Sequence, residues 1–349
     1  MSFVTGTAPH WRAQETVASM MRQVIYAMVP AITVYAMFFG IGIVINCLIA
    51  CIVAVITEAG ALLIRRRPVE LFLRDYSAVV TAILLAFCLP ALTPWWVTAT
   101  GSFFAIAVAK HLYGGLGFNV FNPAMAGYVA LLVSFPEALS QWTAPNIGDL
   151  DYQAPTAFMT LQFVLTGALP DGMMIDAITR ATPLNAVKTG VGMMRTVDEI
   201  RSNPLFGDFA GRGWEWINSF VALGGFWLLY KGVIRWHIPV SLIGAMVAVS
   251  SLTYILDSSI HPGPAFQLLS GGTLLCAFFI ATDPVSGATT TTGRIIYGAG
   301  IGILAFIIRT WGAYPDGIAF SVLLMNMAAP LIDRYTRPRP YGRAPKARH

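Results

Sequence analysis

The segment around Thr182 has the residue types of a helix start that could carry a phosphate. Thr182 precedes Pro183, and Gly190 follows in the same segment. This spacing predicts a helix that Thr182 caps, with proline at its first position and glycine just beyond its end. The free N–H groups and the dipole of a helix N-terminus favour a bound or attached phosphate. The Thr182 hydroxyl is therefore a candidate for a phosphate ester, and an ordinary helix cap is the simpler alternative.

A second candidate site lies in residues 110–127, where a lysine, four glycines and two asparagines join two apolar runs. In a membrane, backbone groups outside regular structure must be buried in protein or line a polar cavity. Asn122 before Pro123 is explained by helix capping, but the lysine and the glycines are not. We predict that a cofactor or ion site is lined by Lys110, Gly114, Gly115, Asn119 and Asn122.

Two acidic residues in apolar surroundings form the third group of candidates. Asp283 begins the polar turn 283–293, and Glu58 lies late in an apolar run, shortly before three arginines. A carboxylate in such a position is costly unless it is solvated or paired. Asp283 therefore either ends a helix in a solvated turn or lines the same central site as residues 110–127. Glu58 either reaches toward the arginines or takes part in proton or ion coupling.

The elements that must position these residues are membrane helices. Of 349 residues, 56% are hydrophobic and 11% are charged, and the mean hydropathy is +0.66. Because soluble domains carry about 25% charged residues, a soluble enzyme, a nucleic-acid-binding protein and a secreted disulfide scaffold are poor fits. We predict an all-α polytopic membrane protein with about ten transmembrane helices in the lipid bilayer. The predicted spans are 23–40, 41–63, 77–93, 95–110, 121–136, 214–231, 236–256, 265–281, 295–310 and 315–332.

The positions of the basic residues predict the orientation of the chain. Placing both termini in the cytoplasm puts 16 of the 22 lysines and arginines inside, as the positive-inside rule requires. The connection 137–213 is then external, and its apolar stretch 157–169, too short to span, is predicted to lie at the membrane surface. The predicted segments are 1–22 (cytoplasmic), 23–136 (first five-helix half), 137–213 (external loop), 214–332 (second five-helix half) and 333–349 (basic cytoplasmic tail).

The two halves carry a weak internal repeat. Residues 81–90 resemble residues 273–284, and each stretch runs from apolar residues into a proline. Five helices per half is an odd number, so two matching halves must face opposite ways across the bilayer. This predicts two five-helix inverted repeats with a long external loop between them, an arrangement that places ligand sites where helices are broken near the midplane.

The three segments together resemble the family that contains the D subunit of the Rnf electron-transport complex and NqrB. The resemblance covers nearly the whole chain, including residues 110–127, 283–293 and 325–333, and the length is closer to the Rnf protein. It implies FMN joined covalently through its phosphate to a threonine by a flavin transferase. A second, non-covalent flavin is a further expectation.

The resemblance also implies a function and partners. The complex that this family serves transfers electrons between ferredoxin and NAD⁺ and couples this transfer to translocation of Na⁺ or H⁺. The chain would be a redox subunit that is not active alone, in the bacterial inner membrane. Its expected partners are the A, B, C, E and G subunits of the Rnf complex, with no role for nucleic acid.

The family's attachment pattern, Asp-x-x-Ser/Thr-Gly-Ala-Thr, occurs in two places. Thr182 ends one copy, with Arg180 in place of the glycine, and Thr289 ends another copy without any departure. Thr182 lies in the predicted external, periplasmic loop, where the resemblance puts the flavin, whereas Thr289 falls on the cytoplasmic side. We therefore predict a flavin site formed by Thr182, Asp176, Thr179 and Pro183.

Two other functions are compatible with the sequence. A solute channel or transporter also uses inverted repeats, although it has no need of the pattern 176–182 in an external loop. A quinone-reducing subunit of the NqrB type shares the resemblance, although NqrB is longer than this chain. Covalent flavin distinguishes the channel from the two redox functions.

Overall fold

The computed structural model describes residues 16–146, 155–169 and 174–337, which are mostly helical. The first fifteen residues, the basic tail beyond residue 337 and parts of the long connection lie outside the described residues. The helices before the connection are α1 (Val17–Phe39), α2 (Gly42–Ile64), α3 (Val69–Leu73), α4 (Ser77–Phe87), α5 (Trp95–Phe103), its π-helical continuation π1 (Phe104–His111) and α6 (Pro123–Ser134).

The long connection and the second half contain further short and long helices. In the connection lie α7 (Pro136–Ser140), β1 (Trp142–Thr143), α8 (Ala157–Thr166), α9 (Ile175–Ile178), β2 (Thr179–Arg180), α10 (Pro183–Gly192) and α11 (Val197–Arg201). The second half comprises α12 (Trp214–Tyr230), α13 (His237–Leu256), α14 (Pro264–Leu269), α15 (Thr273–Leu275), π2 (Cys276–Ile280), α16 (Thr291–Trp311) and α17 (Ile318–Thr336).

Within the described residues, four helices, α1, α2, α13 and α16, are long and apolar enough to cross a membrane. Helix α2 shows why they suit lipid: one face buries small or polar residues at every fourth position, and the other exposes large apolar ones. The buried face carries Asn46, Ala50, Ala54 and Glu58, and the exposed face carries Leu48, Ile52 and Ile56. Small residues let membrane helices approach closely, while lipid accepts the apolar side chains. The chain is therefore a multi-pass helical membrane protein.

The structure divides the predicted span 265–281 into two pieces. Helix α14 ends before Ser270, and α15 begins two residues after Gly271, which has a left-handed backbone (φ +64°). A β carbon at Gly271 would overlap with Leu184 of α10 and with the carboxylate of Asp316. The break thus makes room for a helix of the long connection to pack against the second half.

The connection 137–213 lies over one end of the helices. Asn146 N donates a hydrogen bond to Phe38 O at 2.6 Å, and Val197 N donates one to Ser259 O at 2.8 Å. The first bond reaches the end of α1, and the second reaches the turn that follows α13. Both of these turns share one end of the molecule with the connection, as the predicted topology requires.

Two small elements complete this layer. Strands β1 and β2 pair in antiparallel fashion, with Trp142 opposite Arg180. The predicted surface stretch 157–169 forms α8, a ten-residue helix that buries Phe163 and exposes Phe158. The length of α8 is too short to span a bilayer, and its position at a membrane surface stays a prediction.

Candidate functional site

Thr182 caps α10, as predicted. Its Oγ1 accepts a hydrogen bond from Asn185 N at 3.2 Å, and Pro183 occupies the first helical position. The helix continues to Gly192 instead of ending before Gly190, which corrects its predicted end. Gly190 is buried against α11, where a β carbon would overlap with a side chain. The cap fixes the start of α10, and the close approach at Gly190 packs its other end against α11.

Thr182 borders a cavity of about 320 Å³ between the two halves of the chain. Its walls are mainly apolar and aromatic, with few polar groups, which is the usual lining of a small-molecule site. The first half and the connection contribute Phe87, Cys88, Met125, Tyr128, Leu139 and Trp142. The second half contributes Trp214, Asn218, Leu275, Ile280, Tyr314 and Asp316. The cavity is large enough for the small-molecule class, whose sites begin near 300 Å³.

One wall of the cavity belongs to a cluster of aromatic rings. The rings of Trp142 and Trp214 have centroids 5.1 Å apart, and Trp214 lies at the same distance from Phe39. Phe39 in turn contacts Tyr35, with centroids 5.4 Å apart. Tilted and edge-to-face contacts at such distances stabilise aromatic pairs. This wall is therefore a fixed surface that joins β1, α1 and α12.

Another wall contains a buried ion pair between Arg309 and Asp316. Arg309 is 4% exposed, and its Nε and Nη2 atoms lie 3.1 and 3.0 Å from Asp316 Oδ1. Its Nη1 donates to Gln267 O at 2.7 Å, and Asp316 Oδ2 accepts from Gly272 N at 2.9 Å. We call these four residues the Arg309 cluster. Because Asp316 also lines the cavity, the cluster places a fixed pair of charges beside it.

Lys188 fastens α10 to the same wall. Its Nζ donates to the carbonyl oxygens of Arg309 at 3.0 Å and Tyr314 at 2.8 Å. Loss of contact with water lowers the pKa of Lys188 from its ordinary value, because burial disfavours the charged form. The helix that presents Thr182 is thus tied to the end of α16 and to the turn before α17.

The predicted neighbours of Thr182 lie in different places. Asp176 is exposed, and Thr179 Oγ1 donates to a carbonyl in its own turn at 3.0 Å. Neither of these two residues lines the large cavity. Arg180, which departs from the attachment pattern, lines a small cavity of about 20 Å³ beside Thr182, together with Arg212. Two basic residues therefore border the same small cavity as Thr182, and Arg180 Nη1 donates to the carbonyl oxygens of Asp176 and Thr179.

The glycines of residues 110–127 form a turn. Gly114 and Gly115 have φ angles of +134° and +96°, in the region that favours glycine. Asn119 Nδ2 donates to Phe121 O at 3.1 Å. The two cavities described above are not lined by any of Lys110, Gly114, Gly115, Asn119 and Asn122. Their role toward a cofactor or ion stays a prediction.

Lys110 and Glu58, which the sequence presents as separate features, form a buried ion pair. Lys110 is 1% exposed, and its Nζ donates to the two carboxylate oxygens of Glu58 at 2.7 and 2.6 Å. The same Nζ donates to Ser77 Oγ at 2.8 Å, so all three ammonium hydrogens have acceptors. His111 Nε2 lies 3.3 Å from Glu58 Oε1. We call these four residues the Lys110 cluster; Ser77 and His111 were not predicted.

Asn122 and Asn326 join the two halves. Asn122 caps α6, as predicted, and accepts from Met125 N at 3.2 Å. In addition, its backbone N donates to Asn326 Oδ1 at 3.0 Å, and its Nδ2 donates to Ile280 O at 3.3 Å. Asn326 Nδ2 completes the contact with Tyr297 Oη at 2.7 Å. The only sequence signal for Asn326 was its place in residues 325–333, which carry the family resemblance.

Asp283 forms a local turn after π2. Its Oδ1 accepts from Val285 N at 3.1 Å, and its Oδ2 accepts from Ser286 Oγ at 2.8 Å. These bonds fit the helix-ending alternative, and Asp283 does not line the large cavity. A role of Asp283 in a second site stays a prediction.

Thr182 and Thr289 lie at opposite ends of α16. Thr289 precedes the start of this helix, and Lys188 of the Thr182 helix binds the carbonyl of Arg309 near its other end. A helix of 21 residues is about 30 Å long. Thr289 Oγ1 donates to Asp333 Oδ2 at 2.7 Å, and the same carboxylate accepts from Thr289 N. The Thr289 hydroxyl therefore sits against a negative charge.

The chain matches the model of the NQR2, RnfD, RnfE family over residues 4–342. It is 46% identical, over 98% of its length, to the D subunit of the ion-translocating oxidoreductase complex of Aliivibrio salmonicida, of which 99% is covered. The protein of the same name in Vibrio cholerae serotype O1 is 48% identical, with 98% and 100% covered. The one in Alcanivorax borkumensis is 47% identical, with 98% and 97% covered. The chain therefore belongs to the NQR2, RnfD, RnfE family, as its motifs predicted.

Proposed function

We propose that the chain is the membrane redox subunit of an ion-translocating oxidoreductase complex and carries FMN joined through its phosphate to Thr182. The names of the relatives, which describe the D subunit of such a complex, support the first part. The geometry around Thr182 supports the second. The observation that carries it is a helix-capping hydroxyl at the edge of a cavity of about 320 Å³ with aromatic walls.

The residues around Thr182 fit the parts of FMN. The positive end of α10 and the nearby side chains of Arg180 and Arg212 suit a phosphate. The apolar cavity with Trp142 and Trp214 suits a flat ring system. When bound, the flavin supplies an acceptor of one or two electrons. The chain's own contribution is to hold the ring out of water and beside the Arg309 cluster.

Thr289 is the weaker of the two attachment positions. A phosphate ester there would bring negative charge against Asp333, which already accepts two hydrogen bonds from Thr289. At Thr182 the hydroxyl accepts a backbone hydrogen bond, and no carboxylate is among the residues that bond it in the described part of the chain. Like charges at such a distance repel, so the electrostatics favour Thr182 although its surrounding pattern is less regular.

The same proposal covers orientation and architecture. We place the Thr182 end of the molecule in the periplasm of a bacterial cell. The start of α1 and the end of α17 then lie in the cytoplasm. The ten spans then form two five-helix inverted repeats. In support, the connection 137–213 contacts the turns at one end of the helices, and residues 289–290 lie at the other end. The coupling ion in this proposal is Na⁺ or H⁺.

Partners follow from membership of a complex. The A, B, C, E and G subunits of the Rnf complex would supply and remove electrons, and a flavin transferase would attach the FMN. A second, non-covalent flavin near Asn119 and Asn122 remains part of the proposal. The supporting observation is that Asn122 lies at the contact between the halves, where it bonds Asn326 and Ile280.

In-gel flavin fluorescence after denaturation tests the proposal, because only covalent flavin survives on the band. The protein is produced in a strain with an active flavin transferase. Wild type and the matched control Thr289→Ala should fluoresce, whereas Thr182→Ala should lose the signal. Fluorescence retained in Thr182→Ala would remove the assignment. A dark wild-type band would favour the channel or transporter, which needs no flavin.

A further inference from the structure

The Lys110 cluster lies at the other end of the molecule from Thr182. The Thr143 hydroxyl of the connection donates a hydrogen bond to Phe39 O at 3.4 Å. The end of α1 and the start of α2 therefore lie at the same end of the molecule as Thr182. Glu58 follows the start of α2 at Gly42 by sixteen residues, or about 24 Å along a helix. The cluster is therefore separate from the cavity and from the proposed flavin.

A continuous set of hydrogen bonds leads into this cluster. Asp75, which is partly exposed, accepts from Ser77 Oγ at 2.6 Å. Ser77 Oγ accepts from Lys110 Nζ, and Lys110 Nζ donates to Glu58. His111 lies beside Glu58 at the end of this set without being hydrogen-bonded to it, and is 8% exposed. Neither ring nitrogen of His111 has a hydrogen-bond partner among the described residues, since the 3.3 Å approach to Glu58 lacks hydrogen-bond geometry.

A metal cation does not suit this site. The Lys110 ammonium lies between the two oxygens of Glu58 and already uses them, so Na⁺ would find no free carboxylate oxygen to coordinate. The group of the cluster that remains without a hydrogen-bond partner is the His111 imidazole. A neutral imidazole is costly to bury without such partners. When protonated, it faces a carboxylate that can stabilise its charge.

We propose that the Lys110 cluster is a binding site for one proton. His111 takes up the proton, and the adjacent Glu58 carboxylate stabilises the resulting positive charge. In this step a proton from water adds to a ring nitrogen of neutral His111, forming an imidazolium next to the Glu58 carboxylate. Release is the reverse step, and no electron is transferred. This inference does not depend on the proposed flavin.

Three charged groups surround His111, and one of them is negative. Glu58 on α2 is the carboxylate in direct contact, and Lys110 precedes His111 on π1. Arg65, at the end of α2, borders the same glycine as His111: a β carbon on Gly115 would lie 3.5 Å from Arg65 Nη1 and 3.7 Å from His111 Nδ1.

Deuterium exchange at the C2 carbon of histidine, read by mass spectrometry on the full-length protein in nanodiscs, tests this site. The exchange rate at a fixed pH depends on the imidazolium population, and peptide masses separate His111 from the other histidines. At pH 6.5, Glu58→Gln should slow exchange at His111 by about tenfold, because it removes an opposite charge in direct contact. Glu58→Asp should retain the wild-type rate within about threefold.

The exposed pair Glu70–Arg74 on α3 provides the matched control. Glu70→Gln changes the same charge and should leave exchange at His111 unchanged. If Glu58→Gln does not fold, Glu58→Gln with Lys110→Met is compared with Lys110→Met alone, and the double variant should exchange more slowly because the two differ only in the carboxylate. Absence of exchange at His111 in wild type, or equal rates in wild type and the folded Glu58 variant, would overturn the proposal. Thr182→Ala should keep the wild-type exchange rate at His111. A failure of the flavin assignment would therefore not affect this test.

Discussion

Lys110 and Arg309 occupy corresponding positions in the two predicted halves of the chain but lie in different chemical surroundings. Lys110 ends the fourth predicted span and Arg309 ends the ninth. Both are buried cations, each paired with one carboxylate. Arg309 lies at the end covered by the connection 137–213, and Lys110 lies at the other. Equivalent buried cations at opposite ends are what inverted repeats would produce, which supports the proposed architecture.

The difference between the clusters separates two tasks. Arginine side chains stay charged in proteins, and the carboxylate partner of Arg309 also lines the cavity. The Arg309 cluster is thus a constant electrostatic element beside the proposed flavin. The Lys110 cluster contains the imidazole of His111, the group that we propose takes up a proton. One half therefore carries fixed charge and the other a group that can gain or lose a proton.

Removing Lys110 or Arg309 singly should produce the largest difference in stability between the two clusters. Lys110→Met leaves Glu58, which is 2% exposed, without its ammonium partner, and should lower the free energy of unfolding by about 3–5 kcal/mol. Arg309→Met should cost about 1–3 kcal/mol, because the Asp316 side chain is 29% exposed and retains backbone donors. Unfolding in sodium dodecyl sulfate, followed by tryptophan fluorescence, measures both. Equal losses would remove the distinction between the clusters.

A glycine beside each cluster sharpens the contrast in packing. Both Gly271 and Gly115 have positive φ angles, so an alanine at either position costs about 1–2 kcal/mol in backbone strain. Gly271→Ala also overlaps with Asp316 and Leu184, whereas Gly115→Ala meets only ordinary contacts. We expect a total loss of about 2–4 kcal/mol for Gly271→Ala. The same unfolding measurement would contradict this ranking if Gly115→Ala proved the more harmful.

Removal of both charges from the Lys110 cluster should have the smallest effect. A variant with Glu58→Gln and Lys110→Met leaves no buried charge unpaired, so its stability should lie within about 1 kcal/mol of wild type. The comparison with Lys110→Met alone gives the cost of the isolated carboxylate. A double variant as unstable as the single one would show that the pair holds the helices together by more than charge neutralisation.

Local patterns predicted the Thr182 cap and the Asn122 cap, because each depends on neighbours within three residues. The pairing of Glu58 with Lys110 joins residues 52 positions apart, and nothing in either local pattern selects the other as its partner. The same reason hid the cavity, since helices from both halves form its walls.

The break at Gly271 shows a second limit. The sequence offered a serine and two glycines in an apolar run, but the reason for the break is the approach of Leu184 from another element. The choice between Thr182 and Thr289 rested on predicted topology, and the structure adds a contact that the pattern does not contain, the bond from Thr289 to Asp333.

In our proposal, the end of the molecule with the fixed charge of Arg309 also holds the flavin. Peptide mass mapping of the protein purified from a strain with a flavin transferase tests this placement most directly. We expect an FMN adduct on the peptide that contains Thr182 and an unmodified peptide that contains Thr289. An adduct at Thr289 with Thr182 unmodified would contradict the proposal.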